Sequence, residues 1–343
     1  MALVEVRGLT KTFRRADKAD GLSGSLRHLV ERRFTTVTAV DALDLTIEAG
    51  ESVAYVGPNG AGKSTTIKML TGIVEPTSGT VRVGGLVPHR QRMANARQIG
   101  VLFGQRTQLW WDLQVGESLR LIRDMYSVPE PVYRARLERL DAVLGLAELL
   151  PVVARRLSLG QRMRADLACA LLHGPSVVYL DEPTIGLDIA VKDRVRLLLR
   201  ELATEGVTLM LTTHDLADIE DTCERIVVID RGRAIFDGTV RQVKDRYARQ
   251  RTMHLQFDAD VDLAGLQARF PGVPVRPGDG ARTFSISFDK NALAAGAVLA
   301  RAVAVAGVLD VRIDEPGIDD VIRKVYAGEL TLQAEPEVLA GER

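Results

Sequence analysis

Gly57-Pro58-Asn59-Gly60-Ala61-Gly62-Lys63-Ser64 is the stretch on which the fold turns. It satisfies Gly-x-x-x-x-Gly-Lys-Ser/Thr in full, with the apolar run Ser52–Val56 before it and a helical pattern over Lys63–Leu70 after it. Glycines let such a loop curl so that successive backbone N–H groups face a polyphosphate. A helix opening near Lys63 adds the positive end of its dipole. Lys63 supplies a mobile charge for β- and γ-phosphates, and the Ser64 hydroxyl is a hard oxygen suited to Mg²⁺. Gly60 and Thr65 are expected to donate further hydrogen bonds. The bland alternative, a glycine turn before an ordinary helix, does not explain why every position of the motif and both flanks agree.

Strand-length apolar runs recur outward from this loop, at Ala39–Ile47, Ile99–Phe103, Val177–Leu180, Val207–Leu211 and Ile226–Ile229. Amphipathic helical patterns at Ala190–Leu202 and Leu216–Cys223 alternate with them. The alternation predicts an α/β domain on a largely parallel sheet. The Val177 run ends in Asp181 and Glu182. A strand end beside a phosphate loop is where a Mg²⁺-orienting Asp181 and a water-polarising Glu182 belong. On their own they would be two solvated carboxylates.

Three regions differ in texture. Gly116–His173 is helical almost throughout, and a helical subdomain is expected over about 113–175. Arg14–Arg33 interrupts a short β connection and sets Leu22, Leu26, Leu29 and Val30 on one helical face beside arginines. That face suits a membrane protein or anionic headgroups, or the domain's own surface. Beyond about residue 245 an Arg-rich linker leads to strands His254–Phe257, Thr283–Phe288 and Val308–Ile313 around an Ala292–Ala306 helix. The boundaries expected are 1–245 for the first domain and 246–343 for a small α+β domain with a loose Glu- and Ala-rich tail.

Composition narrows the function classes. Lys plus Arg and Asp plus Glu are both 45 in 343 residues, so the net charge is zero and nucleic acid is not an expected partner. Cys169 and Cys223 form no Cys-x-x-Cys spacing, which speaks against a disulfide framework or structural zinc and for a reducing cytosol. Met1–Phe13 lacks a signal-peptide core. Ala292–Leu309 is apolar but Ala-rich, with Arg301 at its middle, and suits a packed helix better than a membrane span.

Leu157-Ser158-Leu159-Gly160-Gln161, followed by Arg162-Met163-Arg164 and a helix, resembles the signature motif of ABC-type ATPases. The phosphate loop, this signature, Asp181-Glu182, Gly186-Leu187-Asp188 and His214 occur in that family's order and at compatible spacings. Gln105 resembles its lone glutamine between sheet core and helical subdomain. The resemblance covers about residues 1–245. It implies a P-loop ABC-type ATPase that binds ATP and Mg²⁺ and pairs head to tail, as a homodimer or with a paralogue. Ser158, Gly160 and Gln161 would then meet the γ-phosphate held by the partner's loop. His214 would contact that phosphate, Asp188 would line the seam, and Gln105 with Ser64 and Asp181 would sense Mg²⁺.

Two positions depart from the family pattern. Leu159 stands where glycine is usual, although Gly160 keeps a close backbone approach. The aromatic that stacks on adenine has two candidates: Phe34 has the spacing to Gly57, whereas Phe13, in Leu9-Thr10-Lys11-Thr12-Phe13, has the customary local sequence. Spacing favours Phe34.

The segment Gly104-Gln105-Arg106-Thr107-Gln108-Leu109-Trp110-Trp111-Asp112-Leu113, together with the signature, resembles ATPase subunits of drug, lipid or polysaccharide exporters. This implies integral-membrane permease subunits as partners and a cytoplasmic site, peripheral on the inner face of the cell membrane. One of the adjacent Trp110 and Trp111 is expected to anchor the helical subdomain and the other to stay partly exposed. The competing reading is a soluble ABC-type ATPase acting on ribosomes or DNA. One phosphate loop, no long heptad run and no basic excess count against it.

Overall fold

The computed structural model describes residues 2–16, 34–104, 106–213, 215–247, 250–280 and 282–314. Most of the 14–33 insertion, Gln105, His214 and the C-terminal tail therefore lie outside the described residues. The chain divides into two compact units that part at Gly238 and Thr239.

In the first unit β1 (Ala2–Ala16) and β2 (Phe34–Glu48) form a long antiparallel ribbon. The strand β3 (Ser52–Val56) is buried at every position, as a central strand covered on both faces must be. It leads through the glycine loop into α1 (Lys63–Leu70). The strand β4 (Ser78–Val83) joins the ribbon to give a sheet of order β2-β1-β4. After α2 (Arg92–Gln98) and β5 (Ile99–Leu102), the helical stretch holds α3 (Val115–Met125), α4 (Glu130–Leu144) and α5 (Leu159–Leu171). The α/β pattern then resumes with β6 (Val177–Asp181), α6 (Ile189–Thr204), β7 (Thr208–Thr212), α7 (Leu216–Thr222), β8 (Arg225–Asp230) and β9 (Arg233–Thr239).

The main sheet runs β5-β6-β7-β3-β8-β9, and the pairs from β5 through β8 are parallel. One core cluster spans both sheets and α1, with Val4, Leu9, Leu43, Ile47, Val53, Tyr55, Ile67, Met69, Tyr179 and Val227 almost fully buried. The parallel order sets the carboxyl ends of β3, β6 and β7 side by side, where open α/β sheets bind ligands.

In the second unit α8 (Val240–Tyr247) precedes β10 (Gln250–Phe257), and α9 (Leu263–Ala268) and β11 (Val275–Pro277) follow. β12 (Thr283–Asp289), α10 (Ala295–Val303) and β13 (Val308–Asp314) complete it. An antiparallel sheet of order β11-β12-β10-β13 buries Met253, Leu255, Phe257, Ile286 and Phe288 with Leu266, Phe270 and Val298. The helix α10 is shorter than the expected Ala292–Ala306, because Ala294 is the N-cap and the chain leaves the helix after Ala304.

Candidate active site

The glycine loop is shaped by sterics at both ends. A Cβ on Gly57 would sit 2.5 Å from the Ile229 carbonyl oxygen, and one on Gly62 would sit 2.4 Å from that of Ala39. Gly62 also holds φ 108° as the N-cap of α1, a conformation that needs glycine. No side chain caps α1, so its first amides are turned toward the loop's concavity without a competing acceptor. The Lys63 ammonium folds back over this space and donates to the carbonyls of Gly57 and, at 3.2 Å, Pro58. Partial burial pulls its pKa below the usual lysine value, against the opposing pull of Asp181 and Glu182.

Those carboxylates arrive from β6. Asp181 accepts a hydrogen bond from the Thr212 hydroxyl at the end of neighbouring β7. Glu182 has φ 56°, a left-handed conformation that costs about 1–3 kcal/mol in a non-glycine residue. Its N–H donates to the Thr212 carbonyl at 2.8 Å, which holds the turn. Beyond it Thr184 donates to Asp218 on α7, which also accepts from Thr213 at 3.3 Å and from Arg196 Nε at 2.7 Å. Asp218 is buried. It thereby ties the turn after Glu182 to Thr213 and α7. A cleft of about 540 Å³ results, and Asn59, Gly60, Gly62, Lys63, Ser64, Thr65, Asp181 and Glu182 all line it. Gly57 and Ala61 are buried behind the loop.

The signature residues are not among the cleft's lining. Ser158 caps α5, accepting from Gln161 N at 3.2 Å, while the Gln161 side chain accepts from Ser158 N at 2.9 Å. This is a reciprocal capping box. Gly160 packs on the turn after Glu182: a Cβ there would lie 2.5 Å from the Gly186 carbonyl oxygen. Leu159 covers the bare face of Gly186, where a Cβ would meet it at 2.9 Å, so the larger side chain has a place. Asp188 caps α6 by accepting from Val191 N at 3.0 Å.

Neither phenylalanine lines the cleft, and the register separates them. Phe13 pairs with Val37, two residues from Ala39, whose carbonyl touches the loop. Phe34 pairs with Ala16, five residues from Ala39 and roughly 16 Å along an extended strand. The spacing that favours Phe34 runs from 34 to 57 and leaves the insertion out, whereas the strand register sets Phe34 farther from Ala39 than Val37, the partner of Phe13. Trp110 and Trp111 also depart from expectation. Both are exposed, at 38% and 50%, and Leu109 is the residue that enters the core.

Thr184, Thr212 and Asp218 are site-building residues that the motifs do not mark. Thr212 ends a strand, where threonines are common, Thr184 lies in a turn, and an aspartate in the first turn of a helix looks like surface until the fold buries it. Among the described residues no group of three or more His, Cys, Asp or Glu could hold a metal ion, and no helix is long and apolar enough to cross a membrane.

A strand, a glycine loop and an uncapped helix, with an Asp-Glu strand end beside them, define a phosphate-binding-loop nucleoside triphosphatase fold. The family model for ABC transporters matches residues 40–185. The probable multidrug ABC transporter ATP-binding protein YbhF of Escherichia coli K12 is 34% identical over 217 residues, 63% of this chain and 37% of that protein. The Nod factor export ATP-binding protein I of Burkholderia lata is 38% identical over 210 residues, 61% of this chain and 68% of that protein. The solved structure of an ATP-binding subunit of an ABC transporter superposes with TM-score 0.60 at 27% identity, over 71% of this chain and 93% of that one. The chain belongs to the ATP-binding proteins of ABC transporters, a family of ATPases. It spans little more than a third of the length of the YbhF relative.

Proposed function

We propose that the chain hydrolyses ATP with Mg²⁺ to drive a membrane exporter, working as a head-to-tail pair docked on integral-membrane permease subunits at the inner face of the membrane. The observation that carries the reading is the convergence of an uncapped helix terminus, Lys63, Asp181 and Glu182 on one cleft. The loop amides and Lys63 bind the β- and γ-phosphates, and Lys63 exchanges its two loop carbonyls for phosphate oxygens. Ser64 and Asp181 would hold Mg²⁺, whose charge would offset the negative charge of the phosphates; two hard oxygens suit an ion that keeps several waters. Glu182 orients the attacking water and accepts its proton. His214 takes in this reading the role that the family resemblance gives it, a contact with the γ-phosphate.

The pairing is supported by what one copy lacks. Its signature residues lie outside its own cleft, and Leu159, Ile185 and Ile189 leave apolar side chains exposed around Ser158 and Asp188, with Ile189 at 79%. A partner whose cleft receives Ser158, Gly160 and Gln161 would cover them. Phe13, at the loop end of the ribbon, is the adenine platform in this reading. Trp110 and Trp111 suit a permease contact, since exposed indoles are favoured interface anchors. The test is the Mg²⁺-dependent ATPase rate of the purified chain against Glu182→Gln. Turnover is expected to fall by about 10²–10⁴-fold with ATP binding kept. A variant as active as the parent refutes the base assignment.

A further inference from the structure

Asp166 is a carboxylate that the hydrolytic reading leaves without a task. It lies on α5, eight residues past Ser158, and is only 4% exposed. Its Oδ1 accepts from Gln108 N at 2.7 Å and from the Thr107 hydroxyl at 2.9 Å. Burial pushes its carboxyl pKa up, and these two donors pull against that shift. One helical turn earlier, the Arg162 guanidinium lies 4.9 Å from the Trp111 ring centre. Nearer the signature, Arg155 N donates to Trp111 O at 3.1 Å, Ala154 N donates to Leu113 O at 2.9 Å, and the Arg155 side chain pairs with Asp112. The stretch 107–113 is thus fastened to 154–166 at successive points, of which Asp166 is the buried carboxylate. On the sheet side, Arg106 N donates to Phe103 O and the Gln108 side chain reaches Val101 O.

We infer that Asp166 is a positioning residue that locks Thr107–Gln108 to the signature helix, so that the exposed Trp110–Trp111 face moves as one body with Ser158. The inference rests on the proposed reading that Ser158 meets a nucleotide held by a second copy. A helix end drawn toward that nucleotide then carries the tryptophan face with it. Without the carboxylate, two donors lose a charged acceptor in a dry site and the loop is released from the helix.

The chain's two tryptophans are both in this segment, so its tryptophan emission, excited selectively, reports on this face alone. The experiment follows Trp emission and acrylamide quenching of the full chain on adding Mg²⁺ and ATP, in a Glu182→Gln background. ATP affinity by filter binding, dimer mass by light scattering and melting temperature are measured on the same samples. With Asp166 present, ATP is expected to change both fluorescence readouts. Asp166→Leu, which removes the acceptor for both donors, is expected to lose most of that change while ATP affinity stays within about twofold and the dimer still forms. Thr107→Val, which removes one donor and leaves the helix untouched, is expected to lose part of it, and it carries the test if Asp166→Leu does not fold. An undiminished signal in the folded variants overturns the inference, as does a loss that only tracks lost ATP binding or lost dimer. An ATP-bound parent dimer without any fluorescence change overturns it too. A parent that binds no ATP or stays monomeric refutes the proposed function instead.

Discussion

The two helix N-termini that the motifs single out are built in opposite ways. The first turn of α1 follows Gly62 at φ 108° and has no side-chain cap, and its walls are Lys63, Asp181 and Glu182. The first turn of α5 follows Ser158 and closes a capping box with its own Gln161. One terminus is a concave site left open for an anion, whereas the other is a convex, largely self-satisfied surface. In the proposed reading the two would share the work unequally: α1 would bind and Glu182 act, while α5 would complete a site formed elsewhere.

If that contrast holds, damage to α1 removes binding and damage to α5 spares it. The largest effect is expected from Lys63→Ala, which should weaken ATP by about 100-fold or more in an equilibrium titration, at unchanged melting temperature. In the same titration Phe13→Ala should cost about 1–3 kcal/mol of affinity and Phe34→Ala less. The reverse order would return adenine to the outer ribbon.

Next comes the frame of the catalytic side. Asp218→Ala leaves Arg196, which is mostly buried, without its buried partner, and removes the acceptor of the Thr184 hydroxyl and one acceptor of that of Thr213. Breaking a buried pair in this way costs about 3–5 kcal/mol, readable as a lower denaturation midpoint. A change under about 1 kcal/mol would mean that Asp193, Asp215 and Asp221 carry Arg196 without it.

At the far end of the signature helix, His173 Nε2 donates to the Ile99 carbonyl at 2.9 Å and the ring stacks on Tyr126. Burial lowers its pKa to about 4. Above about pH 6.5 the ring is neutral in both states and folding gains nothing from it. As pH falls from there toward 4, the unfolded chain takes up a proton that the native chain refuses, so stability is lost by at most about 3 kcal/mol. Melting curves across that range should show the loss, and His173→Gln should flatten it.

The smallest effect sharpens the contrast most. Ser158→Ala removes the cap and should cost about 1 kcal/mol of stability, with ATP binding to a single copy unchanged. Loss of single-copy binding would put the signature in its own chain's cleft.

Much of this was legible in the sequence because the chemistry demands neighbouring residues. The glycine loop, Asp181-Glu182 and Ser158–Gln161 each work through contiguous backbone and side chains, so spacing carries the information. The ribbon was harder to read. Gly8, at φ 53°, sits within a register shift between Val6 and Leu9 and breaks the two-residue alternation of β1. Spacing ranked Phe34 above Phe13, and only the pairing of β1 with β2 gives reason to propose the opposite order. Asp166 and Asp218 carry no local signal, since their partners come from Thr107 and Thr184, 59 and 34 residues away. One of Trp110 and Trp111 was expected to anchor the helical subdomain, yet both are exposed and the smaller Leu109 took the buried place.

The central claim, that one copy's cleft is completed by another's signature, is tested most directly by the mass of the Glu182→Gln chain in light scattering with Mg²⁺ and ATP. The account predicts a monomer without nucleotide and twice that mass with ATP, and a return to monomer when Ser158→Arg is added while ATP remains bound. A chain that binds ATP and stays monomeric in Glu182→Gln, or a dimer indifferent to Ser158→Arg, would contradict it.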